Sequence, residues 1–205
     1  YTGGGCTMLG NPDLEPEVST NYEIGFAFER ADYKLEATYF YNDIDDLIQN
    51  NFYGEIGGKW YTIQKNVGEA KTSGVETSFS APLVQTVSLR GNLTYMIESE
   101  RKEDGEPLLL TPEVTSNLGL YWDVNDQLNT FAKVQYLGKQ AYNDEDSVRF
   151  AKAYTTLDVG ASYQLNSYLS LRAGIDNLSN TKVETGDDAG DGSPRIYYMG
   201  VTGNF

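Results

Sequence analysis

The sequence predicts an all-β protein, an antiparallel up-and-down sheet that forms part of a transmembrane β-barrel. Apolar residues recur at every second position in about nine segments, which is the period of a strand with one apolar face. Short and long connections alternate between these segments along the whole chain. Outer-membrane barrels have this asymmetry, because their periplasmic turns are short and their extracellular loops are long.

The composition agrees with this class. The 205 residues are 40% apolar, contain no His and one Cys, and carry a net charge of −15. No run of about 18 apolar residues occurs, so the sequence predicts no helical membrane span. A barrel needs none, because only alternate residues of its strands face lipid. The acidity argues against a nucleic-acid partner, which requires a basic surface.

Two regions follow from the pattern. Residues 1–18 are rich in Gly and Pro without any period, and they are predicted to form an extracellular loop. Residues 19–205 are predicted to form the strands. The strands are expected near residues 19–28, 33–41, 60–80, 87–97, 118–122, 128–136, 157–163, 169–175 and 195–205. The long connections are expected at residues 46–59, 99–112, 139–153 and 178–194.

The last strand ends on an aromatic residue. Alternate positions up to Phe205 are apolar and include Tyr197, Met199 and Val201. This ending resembles the assembly signal of bacterial outer-membrane barrels, which implies recognition by the barrel assembly machinery. The strand is about the length of a tilted membrane-crossing strand.

The strand positions that alternate with the apolar ones carry charges, including Glu76, Arg90, Asp158 and Arg172. A charge in the middle of a lipid-facing strand costs about 2–4 kcal/mol. We therefore expect these residues to face the lumen and the apolar set to face lipid. The alternative is an inverted soluble barrel or sandwich, with the apolar set inside.

Catalytic chemistry is not predicted. Without His there is no Ser-His arrangement, and the single Cys6 has no base beside it. The acidic loop residues lack the full spacing of a calcium loop, so neither a metal site nor a cofactor is expected. Cys6 is a disulfide candidate, because external loops lie in an oxidising compartment. As the only Cys, it needs a partner outside this chain.

Several motifs resemble those of TonB-dependent outer-membrane receptors. They are N-P-D-L-E-P-E at 11–17, N-V-G-E-A-K-T-S-G-V-E at 66–76, L-T-P-E at 110–113, Y-L-G-K-Q at 136–140 and L-R-A-G-I-D-N-L at 171–178. Within that family, C-T-M-L-G-N-P-D-L and N-L-T-Y-M-I-E-S-E are similar to the receptors for ferric enterobactin and colicin I.

The resemblance implies a barrel of about 22 strands around a plug, of which this chain would be a C-terminal fragment. It implies location in the outer membrane of a Gram-negative cell, with the C-terminus in the periplasm. The expected partners are outer-membrane lipid, a ferric siderophore of the catecholate class, TonB acting through the missing plug, and colicins or phage. Haem or cobalamin as cargo and a passive barrel are the alternatives.

Cations beside aromatic rings in the long loops suit a flat anionic chelate. We predict that Tyr142, Arg149 and Lys152 contribute to an external ligand site, together with Arg101 and Trp60. The chelator holds the iron itself, so the protein needs no metal ligand. The competing interpretation is that Arg101 and Lys102 balance the neighbouring carboxylates of Glu100 and Glu103.

Overall fold

The computed structural model describes residues 7–66, 68–144, 147–182 and 194–203, except for the side chains of residues 143 and 144. This part of the chain contains 14 β-strands in three sheets of nine, three and two strands. Within these described ranges, no helix has the length and hydropathy that a membrane span requires.

The nine-stranded sheet follows the chain order. Its strands are β2 (Val18–Arg30), β3 (Tyr33–Asp45), β6 (Ala70–Val84), β7 (Val87–Arg101), β8 (Val114–Asp123), β9 (Leu128–Leu137), β12 (Tyr154–Asn166), β13 (Leu169–Asp176) and β14 (Ile196–Gly203). Their order in the sheet is β14-β13-β12-β9-β8-β7-β6-β3-β2, and the pairings from β7 to β14 are antiparallel. The predicted nine-stranded up-and-down sheet is confirmed.

The connections alternate in length as predicted. Two residues join β2 to β3, β6 to β7, and β12 to β13, and four join β8 to β9. The connections from β3 to β6, β7 to β8, β9 to β12 and β13 to β14 are long. Ala31 in the first short turn has a φ of 50°, the left-handed region that two-residue hairpin turns use.

Two smaller sheets take most of their strands from regions predicted to be loops. One contains β1 (Thr7–Leu9), β5 (Lys59–Asn66) and β4 (Ile48–Ile56), and the other pairs β10 (Gln140–Asp144) with β11 (Ser147–Ala151). The predicted strand from Trp60 to Ser80 was therefore wrong in its extent. Its first part belongs to the three-stranded sheet, and the strand of the main sheet begins at Ala70. Alternation alone cannot distinguish these two, because both are half-exposed strands.

Residues 1–18 were predicted to be loop, and this boundary also needs correction. A short strand, β1, lies within them, and β2 already begins at Val18. β1 pairs in parallel with β5, a long-range contact that its three residues do not signal in the sequence.

The register of the main sheet separates two faces. Leu89, Leu120 and Ala132 are aligned across β7, β8 and β9, and we name their side the outer face. Arg90, Gly119, Lys133 and Asp158 form the next row, and we name theirs the inner face. Successive residues of a strand point to opposite sides, so the predicted division between apolar and charged parity holds across these strands.

The chain divides into two compact units. The first contains residues 7–22, 41–73 and 98–108 of the described chain, and the second contains residues 23–40, 74–97 and 109–203. Large apolar side chains of the outer face are exposed, and Met199 retains 89% of its accessible surface. An apolar face left open on this scale needs a cover, and the lipid around a barrel supplies one.

Candidate functional site

Ion pairs surround Lys102 in the first unit. Its ammonium contacts a carboxylate oxygen of Asp43 and lies 2.9 Å from Oε2 of Glu69 and 3.7 Å from Oδ1 of Asp45. The hydrogen bonds to Asp43 and then Glu69 raise the pKa of Lys102 above its usual value. The turn after β7 is thereby fixed to the end of β3 and to the residue before β6.

Arg101, one of the predicted ligand-binding residues, is also engaged by carboxylates. Its Nη2 lies 2.6 Å from Oδ2 of Asp104 and 2.7 Å from Oε2 of Glu106. The backbone N–H of Glu106 donates to Oδ1 of Asp104 at 3.0 Å. That bond, followed by Arg101, lowers the pKa of Asp104. The local partners are Asp104 and Glu106 rather than the expected Glu100 and Glu103.

Lys71 completes this set of paired cations. Its Nζ lies 3.1 Å from a carboxylate oxygen of both Glu98 and Glu100, and Glu98 also accepts a hydrogen bond from the hydroxyl of Ser73. An anionic ligand that used Lys71, Arg101 or Lys102 would have to displace carboxylates already in contact with them.

Trp60 lies on an exposed apolar face of the three-stranded sheet. Its ring meets that of Phe52 edge to face, with centroids 6.3 Å apart and planes at 79°. Met8 and Phe52 are both aligned with Thr62, one on each side. Trp60, Phe52 and Met8 retain 63%, 68% and 57% of their accessible surface. The first unit therefore presents an uncovered aromatic surface.

The β10–β11 hairpin of the second unit brings two predicted residues together. Tyr142 is directly opposite Arg149 in the register, so the two side chains share one face of the hairpin. Lys152 follows the end of β11 and is exposed, as is Arg149. Three of the five predicted ligand residues thus belong to one hairpin and its exit, whereas Arg101 and Trp60 belong to the first unit.

A further cation and ring lie beside this hairpin. Nζ of Lys139 is 5.6 Å from the ring centroid of Phe150, which is exposed, and 2.9 Å from Oε1 of Glu113. Both Lys139 and Phe150 belong to the predicted long connection, but nothing in the sequence places them together. They extend the cationic and aromatic character of the hairpin.

The inner face of the second unit carries a stack of cations and rings. Cζ of Arg90 lies 4.9 Å from the ring centroid of Tyr121, and Nζ of Lys133 lies 4.7 Å from that of Phe131. The two rings are 6.4 Å apart. Attraction between a cation and an aromatic face contributes about 0.5–1 kcal/mol at exposed sites, enough to orient these side chains without neutralising them.

A buried carboxylate of β12 joins β9 and the residue that follows β13. Oδ2 of Asp158 accepts from Nε2 of Gln135 at 2.5 Å, and Oδ1 accepts from the backbone N–H of Asn177 at 2.8 Å. Asn177 is buried with a φ of 49° and accepts from the backbone N–H of Thr181. The sequence predicted that Asp158 lies on the charged face of the sheet, but it did not predict the hydrogen bonds from Gln135 and Asn177. The available sequence signal for this contact was the pair Asp176-Asn177 where β13 ends, because Asn tolerates a backbone with positive φ.

Aromatic rings cover glycines on the inner face. Phe131, Gly160, Gly174 and Tyr198 form one row across β9, β12, β13 and β14. A Cβ at Gly160 would lie 2.6 Å from Cε1 of Phe131 and 2.9 Å from the hydroxyl of Tyr198. Both rings therefore fill the space that the side chain of any residue other than glycine would need at position 160.

The residues of the proposed assembly signal are only partly described. Tyr197, Met199 and Val201 alternate on the exposed outer side of β14, whereas Phe205 lies outside the described residues. Cys6, the disulfide candidate, also lies outside them. Among the residues that are described, no group of three or more His, Cys, Asp or Glu side chains is arranged to hold a metal ion.

Comparison with known proteins adds the family. Residues 1–178 match the model of the TonB dependent receptor-like β-barrel. The chain is 32% identical to the iron-regulated outer membrane virulence protein of Vibrio cholerae, over 97% of this chain and 32% of that protein. It is 31% identical to the ferrienterobactin receptor of Escherichia coli, over 91% of this chain and 28% of that protein.

A solved structure gives the same result. A mutant ferric enterobactin receptor of Pseudomonas aeruginosa, in complex with enterobactin, superposes with a TM-score of 0.80 at 28% identity and covers 99% of this chain and 34% of that chain. The chain spans about a third of the length of the relatives that it matches. The family match, the sheet order and the alternating connections agree, and the chain belongs to the β-barrel family of TonB-dependent receptors.

Proposed function

We propose that this chain forms part of the barrel wall of an outer-membrane receptor that imports a ferric siderophore of the catecholate class. The observation that carries this proposal is the similarity over nearly the whole chain to receptors named for ferric enterobactin. Binding and import are not enzymatic, and the ligand brings its own iron, so the proposal requires neither a catalytic residue nor a resident cofactor.

The external site is assigned to the β10–β11 hairpin. Arg149 and Tyr142 share one face of it, and Lys152 follows directly. A ferric tris-catecholate is a trianion, which the net charge of −15 repels at long range. Salt of physiological strength screens that field over about 8 Å, so cations next to the ligand dominate its binding.

The topology proposed for the receptor puts the short turns and the C-terminus in the periplasm and the long connections outside. In this arrangement the hairpin and the ion-pair network belong to external loops. Energy input through TonB requires segments outside this chain. Assembly by the barrel assembly machinery, signalled by Phe205, belongs to the same proposal, as does recognition by colicins or phage.

Paired substitutions test the ligand site. In the receptor that contains this chain, Arg149→Ala with Lys152→Ala should raise the Kd for ferric enterobactin, by about tenfold for each charged hydrogen bond that the substitutions remove. The dependence of Kd on salt, measured at about 0.1 M and about 1 M, should also weaken, because fewer charges take part.

The matched control is Arg30→Ala with Lys34→Ala, which removes the same charge next to the β2–β3 turn and should leave Kd unchanged. If both double variants bind with the wild-type Kd and salt dependence, the hairpin is not part of the site. Tighter binding of haem or cobalamin than of ferric enterobactin by the wild-type receptor would overturn the cargo assignment.

A further inference from the structure

One side of the three-stranded sheet carries aromatic rings together with a carboxylate. Trp60 in β5 is directly opposite Glu55 in β4. Phe52 and Met8 are aligned on either side of Thr62. Residues opposite each other across a pair of strands, and residues two apart along a strand, lie on the same side of a sheet. We name Met8, Phe52, Glu55 and Trp60 the aromatic face.

The charges of this sheet are divided between its two sides. Lys59 and Lys65, the cations of β5, alternate with Trp60 and therefore point to the other side. Glu55 is exposed, and it forms no ion pair within the described residues. On the side of the aromatic face, the three strands therefore contribute a carboxylate and no Lys or Arg.

The acidity extends over the whole first unit. The unit contains thirteen Asp and Glu residues against five Lys and Arg residues, which leaves a net charge of −8. Three of the five cations, Lys71, Arg101 and Lys102, already contact carboxylates. The field around the aromatic face is therefore negative, and salt of physiological strength screens it only beyond about 8 Å.

This field decides between the possible partners of the aromatic face. A ferric tris-catecholate is a trianion, lipid phosphates are anionic, and a second copy of the first unit carries the same net charge of −8. All three are repelled. A surface that presents Lys or Arg is attracted instead, because its cations can pair with Glu55 or lie over the ring of Trp60.

The shape of the aromatic face favours a polypeptide over a small cation. Its apolar side chains lie on three neighbouring strands, which span about 10 Å at about 4.8 Å per strand interval. Met8, Phe52 and Trp60 each keep more than half of their accessible surface. Small molecules bind in concave sites, whereas aromatic and Met side chains on an open face are typical anchors of protein interfaces.

We propose that the aromatic face is a docking surface for a cationic polypeptide. Lys or Arg side chains of the partner meet Glu55, and its apolar side chains cover Phe52 and Trp60. The proposal assigns Trp60 to this partner instead of to the iron chelate. It rests on the proposed function only in placing the first unit outside the cell, and it is independent of the cargo.

Peptide selection tests the chemistry of recognition. A phage-displayed library of random peptides, about twelve residues long, is selected on the purified full-length receptor. Clones that also bind the variant Phe52→Ala with Trp60→Ala are discarded, which removes peptides that bind only detergent or other parts of the receptor. The remaining peptides should combine Lys or Arg with apolar residues and should carry a positive net charge.

The affinity of one selected synthetic peptide gives the magnitude. Phe52→Ala with Trp60→Ala should raise its Kd at least about tenfold, because aromatic anchors dominate protein interfaces. Glu55→Gln keeps the size of the side chain and should raise Kd about two- to fivefold, with a weaker dependence on salt. The control Tyr168→Ala removes a similarly exposed ring in the second unit and should leave Kd unchanged.

Four results overturn the proposal. The selection yields no peptide that depends on Phe52 and Trp60, or the dependent peptides are neutral or acidic. A selected peptide binds in detergent but not in bilayer discs that contain lipopolysaccharide, which would assign the aromatic face to lipid. Phe52→Ala with Trp60→Ala raises the Kd for ferric enterobactin as strongly as Arg149→Ala with Lys152→Ala, which would return Trp60 to the siderophore site.

The siderophore assignment fails by a separate measurement. It is tested by the Kd for ferric enterobactin in the hairpin variants, whereas the docking proposal is tested by peptides selected without any siderophore. The two failures are therefore distinguishable.

Discussion

The cations of the first unit differ from Arg90 and Lys133, on the inner face of the second unit, in the groups that contact their charge. Lys71, Arg101 and Lys102 each contact two or more carboxylates from their own unit. Arg90 and Lys133 contact rings instead. The first arrangement balances each cation with carboxylates, whereas the rings of the second supply no negative charge. The contacts that the structure describes therefore neutralise the cations of the loop network, but they only orient Arg90 and Lys133.

The largest expected effect comes from the buried carboxylate of the second unit. Asp158→Ala should lower the free energy of unfolding by about 3 kcal/mol, because the backbone N–H of Asn177 and the amide of Gln135 lose a charged acceptor. Chemical unfolding in detergent measures it. Asp158→Asn should cost about 1 kcal/mol, because a rotated Gln135 amide can bond to it. Equal losses for the two variants would contradict the hydrogen-bond account.

A smaller loss is expected where the rings cover glycine. Gly160→Ala should destabilise the barrel by about 1–3 kcal/mol, because the new methyl group meets Phe131 and Tyr198. Gly10→Ala is the control, since nothing lies within 4 Å of a Cβ there. Adding Phe131→Leu should recover part of the loss in a double-mutant cycle. Strict additivity would show that the ring and the glycine do not interact.

The smallest expected effect is the pH dependence of the turn that contains Asp104, in the first unit. The pKa of Asp104 is lowered from 3.8, first by the N–H of Glu106 and then by Arg101. Its contribution to the turn is therefore complete above pH 3.8 and is lost as the pH falls through the lowered pKa. Titration of the Asp104 carboxyl by ¹³C NMR should give a midpoint below 3.8. Arg101→Gln should move that midpoint upward, and no movement would remove Arg101 as a cause.

Most of the main sheet could be predicted from the sequence, because a barrel strand repeats every two residues and its loops differ in length on the two sides. The extent of single strands was less predictable. The run from Trp60 to Ser80 continues the alternation through two sheets, and only the pairing of β5 with β1 and β4 separates them.

The residue types of the candidate site could be predicted from the sequence, but most contacts between those residues could not. Residues close in sequence, such as Arg101 and Asp104, could be expected to pair. The contact of Asp158 with Gln135 and the cover of Gly160 by Phe131 depend on the register between strands. A shift of one residue would exchange the two faces, and one sequence does not fix that register.

The central claim is that the outer face meets lipid and the inner face meets an interior, and Ala161 and Ser162 test it most directly. They are adjacent in β12, on the outer and inner faces respectively. Each is replaced by Cys in a receptor in which Cys6 and its expected partner Cys outside this chain are both Ser, and a nitroxide is attached in bilayers. The label at 161 should collide mainly with oxygen, and the label at 162 should be shielded from lipid. Greater exposure of the label at 162 to lipid-dissolved oxygen would contradict the account.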